Sequence, residues 1–286
     1  MRLVNSTGAL SRFGEERAIG ILARAGFDAL DWSFENNYWD QDDWRQRALH
    51  MKAVAEDCGI GFSQAHAATP TSTGEEPFDT DMFQKILRTI EIAGIMGIQN
   101  LIVHPRQHLP YRKHRQQLFD ESVALYKSLI PYCEEFGVRV CTENMWQCDY
   151  NRNVIIDSVC SQAEEFCAMV DAVDSPWIAA CLDIGHGPLV GSDPVDMIHA
   201  LGKKRLKALH VHDVDYLHDD HTLPFLKKLD WEAIMKALAE IDYREDFTYE
   251  AGAFIKAFPE PLHEDACRLM ERTGRYLISR IEANRP

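Results

Sequence analysis

Leu206-Lys-Ala-Leu-His-Val-His-Asp-Val-Asp-Tyr-Leu-His-Asp-Asp-His-Thr-Leu-Pro-Phe225 begins as a buried strand and ends among metal-type ligands. The apolar run Leu206–His210 leads into His212 and Asp213, and the loop beyond holds His218, Asp219, Asp220 and His221. Three other apolar runs close in the same way: Arg139-Val-Cys-Thr-Glu143, Ile178-Ala-Ala-Cys-Leu-Asp183 and Asp246-Phe-Thr-Tyr-Glu250. Strands that each deliver one carboxylate or imidazole at the C-terminal end point to one metal site on one face of a barrel.

The rest of the chain supplies the missing units. Strands are predicted at Leu3–Ser6, Ala29–Ser33, Ile60–His66 and Gln99–His104, then at Val138–Glu143, Trp177–Asp183, Leu206–His212 and Phe247–Glu250. Between them the 3.6-residue apolar period predicts helices at Gly14–Ala25, Asp42–Glu56, Thr80–Met96, Gln116–Phe136, Ala163–Val173, Pro194–Leu201 and Trp231–Ile241, with a closing helix at Pro261–Ile281. Gly26, Gly97 and Gly137 stand where these helices should stop. Ala67–Phe78 carries the Pro, Gly and Ser/Thr of a loop. Eight strand–helix units with no linker predict a single-domain (β/α)8 TIM barrel over residues 1–286.

Bulk properties narrow the function. The 286 residues are 46% hydrophobic, enough for one large core. A net charge of −15 argues against a nucleic-acid partner, which would require a basic face. Eight cysteines are scattered without a C-x-x-C pair, so they are read as reduced and the compartment as cytoplasmic. Cys141 and Cys181 fall in predicted buried strands, where a thiol serves as a small apolar group. No secretory signal and no membrane span are expected.

In a barrel of this kind the chemistry lies at the C-terminal strand ends. Those ends carry His66, His104, Glu143 followed by Asn144, Asp183 with His186 in the next turn, His210, His212 and Glu250. Glu143, Asp183, His212 and Glu250 are the expected ligands of one divalent cation. Alternation puts His210 and His212 on the same face, and His212 is chosen because it lies farther toward the mouth. Three carboxylates with one imidazole suit Mn2+ or Mg2+, with Co2+, Fe2+ or Zn2+ also compatible. Candidate substrate contacts are His186, His104, His66, Asn144 and His221. Trp32 joins them, forming with Phe34, Tyr38 and Trp39 a wall against a sugar's apolar face. His108, His114 and His218 are read as solvated.

Asp183-Ile-Gly-His186, His210-Val-His212-Asp213 and the glutamates closing the fifth and eighth predicted strands resemble the xylose isomerase-like barrel superfamily, over essentially the whole chain. The branch most resembled is that of the sugar (phosphate) isomerases and epimerases, including tagatose/psicose 3-epimerase-like enzymes. The resemblance implies that Glu143 and Glu250 bind the metal and move the proton, and that His186 contacts substrate. It implies a carbohydrate substrate whose carbon-bound proton is removed to give an enediolate and returned from the opposite face, and a homo-oligomer, dimer or tetramer. The epimerases carry an arginine in the loop after the seventh strand; here Asp213–Pro224 holds no Lys or Arg and four aspartates, which disfavours a phosphorylated substrate. Arg106, Arg112, Lys113 and Arg115 are the nearest basic cluster and are read as the start of a surface helix.

The same residues also resemble endonuclease IV-like barrels, which hold three zinc ions. His66, His104, His186 and Asp219-Asp220-His221 match the extra ligands of that group. A multi-zinc phosphodiesterase is therefore the alternative, as are a lyase built on the same proton abstraction and a non-catalytic sugar- or metal-binding barrel.

Overall fold

The structure is a computed structural model that describes residues 1–33 and 42–285. Eight parallel strands form the central sheet: β1 (Leu3–Ser6), β2 (Ala29–Trp32), β3 (Phe62–His66), β4 (Asn100–Ile102), β5 (Arg139–Glu143), β8 (Ile178–Asp183), β9 (Leu206–His210) and β10 (Phe247–Tyr249). Their order is β10-β1-β2-β3-β4-β5-β8-β9. Leu3 pairs with Phe247, and beyond β9 Val211 bridges to Tyr249, so the last strand meets both the first and its predecessor. The predicted TIM barrel is the observed fold.

The strands are buried on both faces, as parallel strands covered by helices must be. Inside the ring, Ile102, Cys141, Ala179, Cys181 and Ala208 make a small separate cluster. Short side chains fill a narrow interior. All eight thiols are free, and Cys141 and Cys181 are buried there as expected. Outside the ring the helices present apolar stripes. Along α10 (His263–Ala283), Ala266, Cys267, Met270, Gly274, Leu277, Ile278 and Ile281 are buried at three- and four-residue spacing. Gly274 lies so close to β1 and β10 that a Cβ there would sit 2.4 Å from Leu3 Cδ1 and 3.1 Å from Tyr249 Cε2. The helices α3 (Phe78–Met96) and α4 (Tyr111–Phe136) end on Gly97 and Gly137 in the left-handed conformation that glycine adopts without steric cost.

Three features depart from the sequence reading. An antiparallel hairpin, β6 (Trp146–Asp149) with β7 (Val154–Asp157), lies between β5 and β8 where no strand was predicted. Its strands alternate poorly and are only half-buried, so no clean two-residue period announces them. Helix α4 starts at Tyr111, not Gln116, and its backbone is non-helical at His114, which explains why the charged start reads weakly. Short helices α6 (His186–Leu189) and α9 (Gly252–Lys256) follow Asp183 and Glu250. Among the described residues no helix is long and apolar enough to cross a membrane.

Candidate metal centre

The strand order puts the polar strand ends on one rim. His66, Glu143, Asp183 and His210 are the last residues of β3, β5, β8 and β9, and Glu250 follows β10 directly. Asp183, His210 and His212 are 0% exposed and Glu143 is 1% exposed. Buried ionisable groups at this density require partners.

Ligand atoms of Glu143, Asp183, His210 and Glu250 all lie within 4.8 Å of one another. His210 Nδ1 is 3.1 Å from Glu143 Oε1, 3.3 Å from Glu250 Oε2 and 3.9 Å from Asp183 Oδ2. Each glutamate turns its second oxygen toward a further imidazole: Glu143 Oε2 is 3.1 Å from His104 Nε2, and Glu250 Oε1 is 3.7 Å from His66 Nε2. His66, His104 and Glu143 thus form a second group of convergent donors, and Glu143 bridges the two.

His212 does not join the three carboxylates as expected; His210 does. The strand ends at His210, and the ring of His212 swings to the far side of Asp183. It stacks on His221 with centroids 4.1 Å apart at 11°, and its Nε2 lies 3.0 Å from Asp183 Oδ1. Gly185 makes room for it, since a Cβ there would be 2.2 Å from His212 Cε1. His212 belongs instead with His186, Asp219 and His221 in a third convergent group.

The third group has oriented imidazoles. His186 donates from Nδ1 to the Asn144 carbonyl at 2.9 Å, and His221 donates from Nδ1 to the Glu250 carbonyl at 2.8 Å. In each ring Nε2 then faces Asp219 Oδ2, at 3.6 Å and 3.1 Å. A histidine held by a backbone carbonyl at one nitrogen with the other turned to a carboxylate is the arrangement that presents a lone pair to a cation. Trp146, on the hairpin, steadies Asp219 through its indole N–H at 3.3 Å.

Asp31 was not singled out from the sequence. It lies in β2, fully buried, with neither carboxylate oxygen hydrogen-bonded among the described residues, and it groups with His66 and His210. A lone aspartate inside the otherwise apolar Ala29-Leu-Asp-Trp32 was the available signal. Two expected substrate contacts have other work. Asn144 spends both ends of its amide on the backbone of Asp183, accepting at 2.8 Å and donating at 2.9 Å, and so ties β5 to β8. Trp32 is 1% exposed and packs edge-on against Phe62 at 5.1 Å, in the core and not on the open rim. Phe34, Tyr38 and Trp39 lie outside the described residues. Arg106, Arg112 and Arg115 are paired with Asp79, Asp157 and Glu165.

Electrostatics follow from burial and proximity. Burial pushes Glu143 up, but His210 and His104 outweigh it and hold the carboxyl well below the usual range. Burial likewise opposes, and His186 and His212 overcome, the descent of Asp183 to about 2. His186 and His221 are raised to about 10 and about 9 despite burial, by Asp183 and Asp219 for the first and Asp219 and Glu250 for the second. Burial, with His210 close by, lowers His66 to about 4, and burial raises Asp31 to about 7. Glu143 and Asp183 therefore stay ionised against His186, His210 and His221, which hold protons. A divalent cation can take the place of those protons, and metal binding at such sites releases them. The donor chemistry fits: Glu143, Asp183, His210 and Glu250 form an oxygen-rich set, and the His186 group is richer in nitrogen. The buried, unpartnered His212 Nδ1 and Asp219 Oδ1 fit as well.

The chain belongs to the xylose isomerase-like TIM barrel family, whose model matches residues 19–273. It is similar to the protein y4fM of Sinorhizobium fredii, itself uncharacterized, with 22% identity over 83% of this chain and 81% of that one. Among solved structures it resembles a D-psicose 3-epimerase determined with D-fructose (TM-score 0.78, 15% identity, 97% of this chain and 99% of the other). It also resembles the IolI protein with a bound zinc atom (TM-score 0.75, 15% identity, 98% of each chain).

Proposed function

We propose that the protein is a divalent-metal-dependent isomerase or epimerase of a sugar or related hydroxy-carbonyl compound. The observation that carries this reading is the pairing of Glu143 and Glu250. They come from β5 and from the end of β10, meet at the same imidazole nitrogen of His210, and each keeps a second oxygen beside another histidine. Glu143, Asp183, His210 and Glu250 would hold the cation. When bound there, the cation would acidify the C–H beside a carbonyl and stabilise the negative charge left behind.

The chain's own groups do the rest. One glutamate takes the carbon-bound proton at its second oxygen, and the other supplies a proton from the opposite side. His104, 3.1 Å from Glu143, and His66, 3.7 Å from Glu250, stand beside those oxygens. Asn144 fixes Asp183, and His186 faces the same space. The names of the similar structures, sugar 3-epimerases among them, support the reaction class. Eight free thiols support a reducing, cytoplasmic setting.

A second reading is favoured by a specific observation. Glu143 joins the His66–His104 group to the central one, and Asp183 stands between the central group and that of His186, His212, Asp219 and His221. Three cations bridged by carboxylates would suit phosphoester hydrolysis. Metal analysis and proton exchange separate the two. One cation per chain, with deuterium uptake from D2O into a ketohexose, supports the isomerase or epimerase. Two or three zinc ions, no uptake, and hydrolysis of bis(p-nitrophenyl) phosphate or abasic DNA would replace it with the hydrolase.

A further inference from the structure

Beside the metal centre, the loop after β3 and the loop after β4 enclose a cavity of about 500 Å³. His104 belongs to its wall and to the centre at once, because its Nε2 lies 3.1 Å from Glu143 Oε2. The cavity therefore shares the ring of His104 with the centre, one side chain away from a proposed acid–base residue. A space of this size lies within the roughly 300–1,000 Å³ of small-molecule sites.

The lining is polar and carries no lysine, arginine, aspartate or glutamate. Thr69 and Thr73 contribute hydroxyls, and Gln107 adds an amide fixed by Ser158 at 2.9 Å. His108, read from the sequence as solvated, is buried instead. Its side chain is 8% exposed, and its Nδ1 has no hydrogen-bond partner. The opposite loop clamps this ring, since a Cβ on Gly74 would come within 2.7 Å of His108 Cδ2. The ring's Nε2 lies 3.7 Å from Glu121 Oε2. Arg106, the nearest guanidinium in sequence, is bound to Asp79 at 3.3 Å and to the Thr71 carbonyl at 3.1 Å, on the far side of the loop. A phosphate would find no countercharge here. A neutral group with several hydroxyls would find donors and acceptors on every side.

We infer that this cavity is a subsite for a neutral, polyhydroxylated extension of the substrate, so that the substrate is a glycosylated sugar and not a single free ketose. The inference rests on the reading of the centre as a sugar site. It commits to a second sugar unit attached to the one whose carbon faces Glu143.

Calorimetry with two unreactive polyols tests it on the metal-loaded protein. Glucitol is one sugar unit long and lactitol is two. Lactitol should bind about tenfold more tightly than glucitol, and Thr73→Trp, which fills the cavity, should abolish the difference. Thr69→Val, which keeps the volume but removes a hydroxyl from the wall, should weaken lactitol alone. Equal affinities, no binding of either polyol, or a preference for lactitol that survives Thr73→Trp would each overturn the subsite. Because binding needs no turnover, lactitol binding without deuterium exchange would sink the proposed reaction and leave the subsite standing. Exchange with a free ketose and no lactitol preference would do the reverse.

Discussion

His210 and His212 are two residues apart and have different environments. His210 meets Glu143 and Glu250, whereas His212 leans on Asp183 from outside and stacks on His221. Replacing His210 with Asn should remove the cation that Glu143, Asp183 and Glu250 would hold, seen as one metal equivalent fewer by elemental analysis. His212→Asn should leave that equivalent in place. Glu143→Gln and Glu250→Gln should each lower deuterium exchange into a ketose by about 10²–10⁴-fold, with unchanged circular dichroism. Asp31 gives a pH prediction. Its folded value of about 7 stands above the ordinary 3.8, so the stability tied to its protonated form is full below about pH 4 and lost as pH rises through 7. In the metal-free protein, Asp31→Asn should therefore raise the melting temperature more at about pH 8 than at about pH 5. The three carboxylates were legible in the sequence because each ends an apolar strand. The choice between the histidines was not, because alternation gives the face of a strand and not the point where the strand stops. Asp31 was passed over because it lies inside a strand and not at its end.

At the scale of elements, the turn from β8 into α6 and the loop after β9 build the third donor group together. Both depend on small clearances. Gly185→Ala would drive a methyl into the His212 ring and should destabilise the protein by about 1–3 kcal/mol, measured by chemical denaturation. The same elements hold two imidazoles that retain protons strongly. His186 and His221 have folded values of about 10 and about 9, above the ordinary 6.5. The stability they give is complete below about pH 6.5 and is lost as pH rises through those values. Thermal melts of the metal-free protein should accordingly fall between about pH 7 and about pH 10, and added zinc should flatten the fall by taking the place of the protons. A metal-free curve with no slope in that window would contradict the assignment. The hairpin of β6 and β7 marks the limit of pattern reading at this scale. Half-buried strands that lock onto neighbouring loops through Gln107, Gln147 and Trp146 carry no periodic signature.

For the whole molecule, the alternation of strands and glycine-terminated helices made the barrel readable, because each unit repeats the same physical requirement. Its closure rests on contacts distant in sequence. Helix α10 seals β1 against β10 through Gly274, and Gly274→Ala should cost about 1–3 kcal/mol in denaturation without altering the metal content of the folded protein. The ring offers no shortcut to the site. Its donors are spread from β2 to the end of β10, and Glu250 arrives only with the strand that pairs with Leu3–Asn5. During synthesis the earlier strands can gather, yet the oxygen-rich pocket stays one ligand short until the final strand docks. On the proposed reading, cation loading would therefore be a late event in the life of the chain, and a protein that captured the metal would report that the ring had closed.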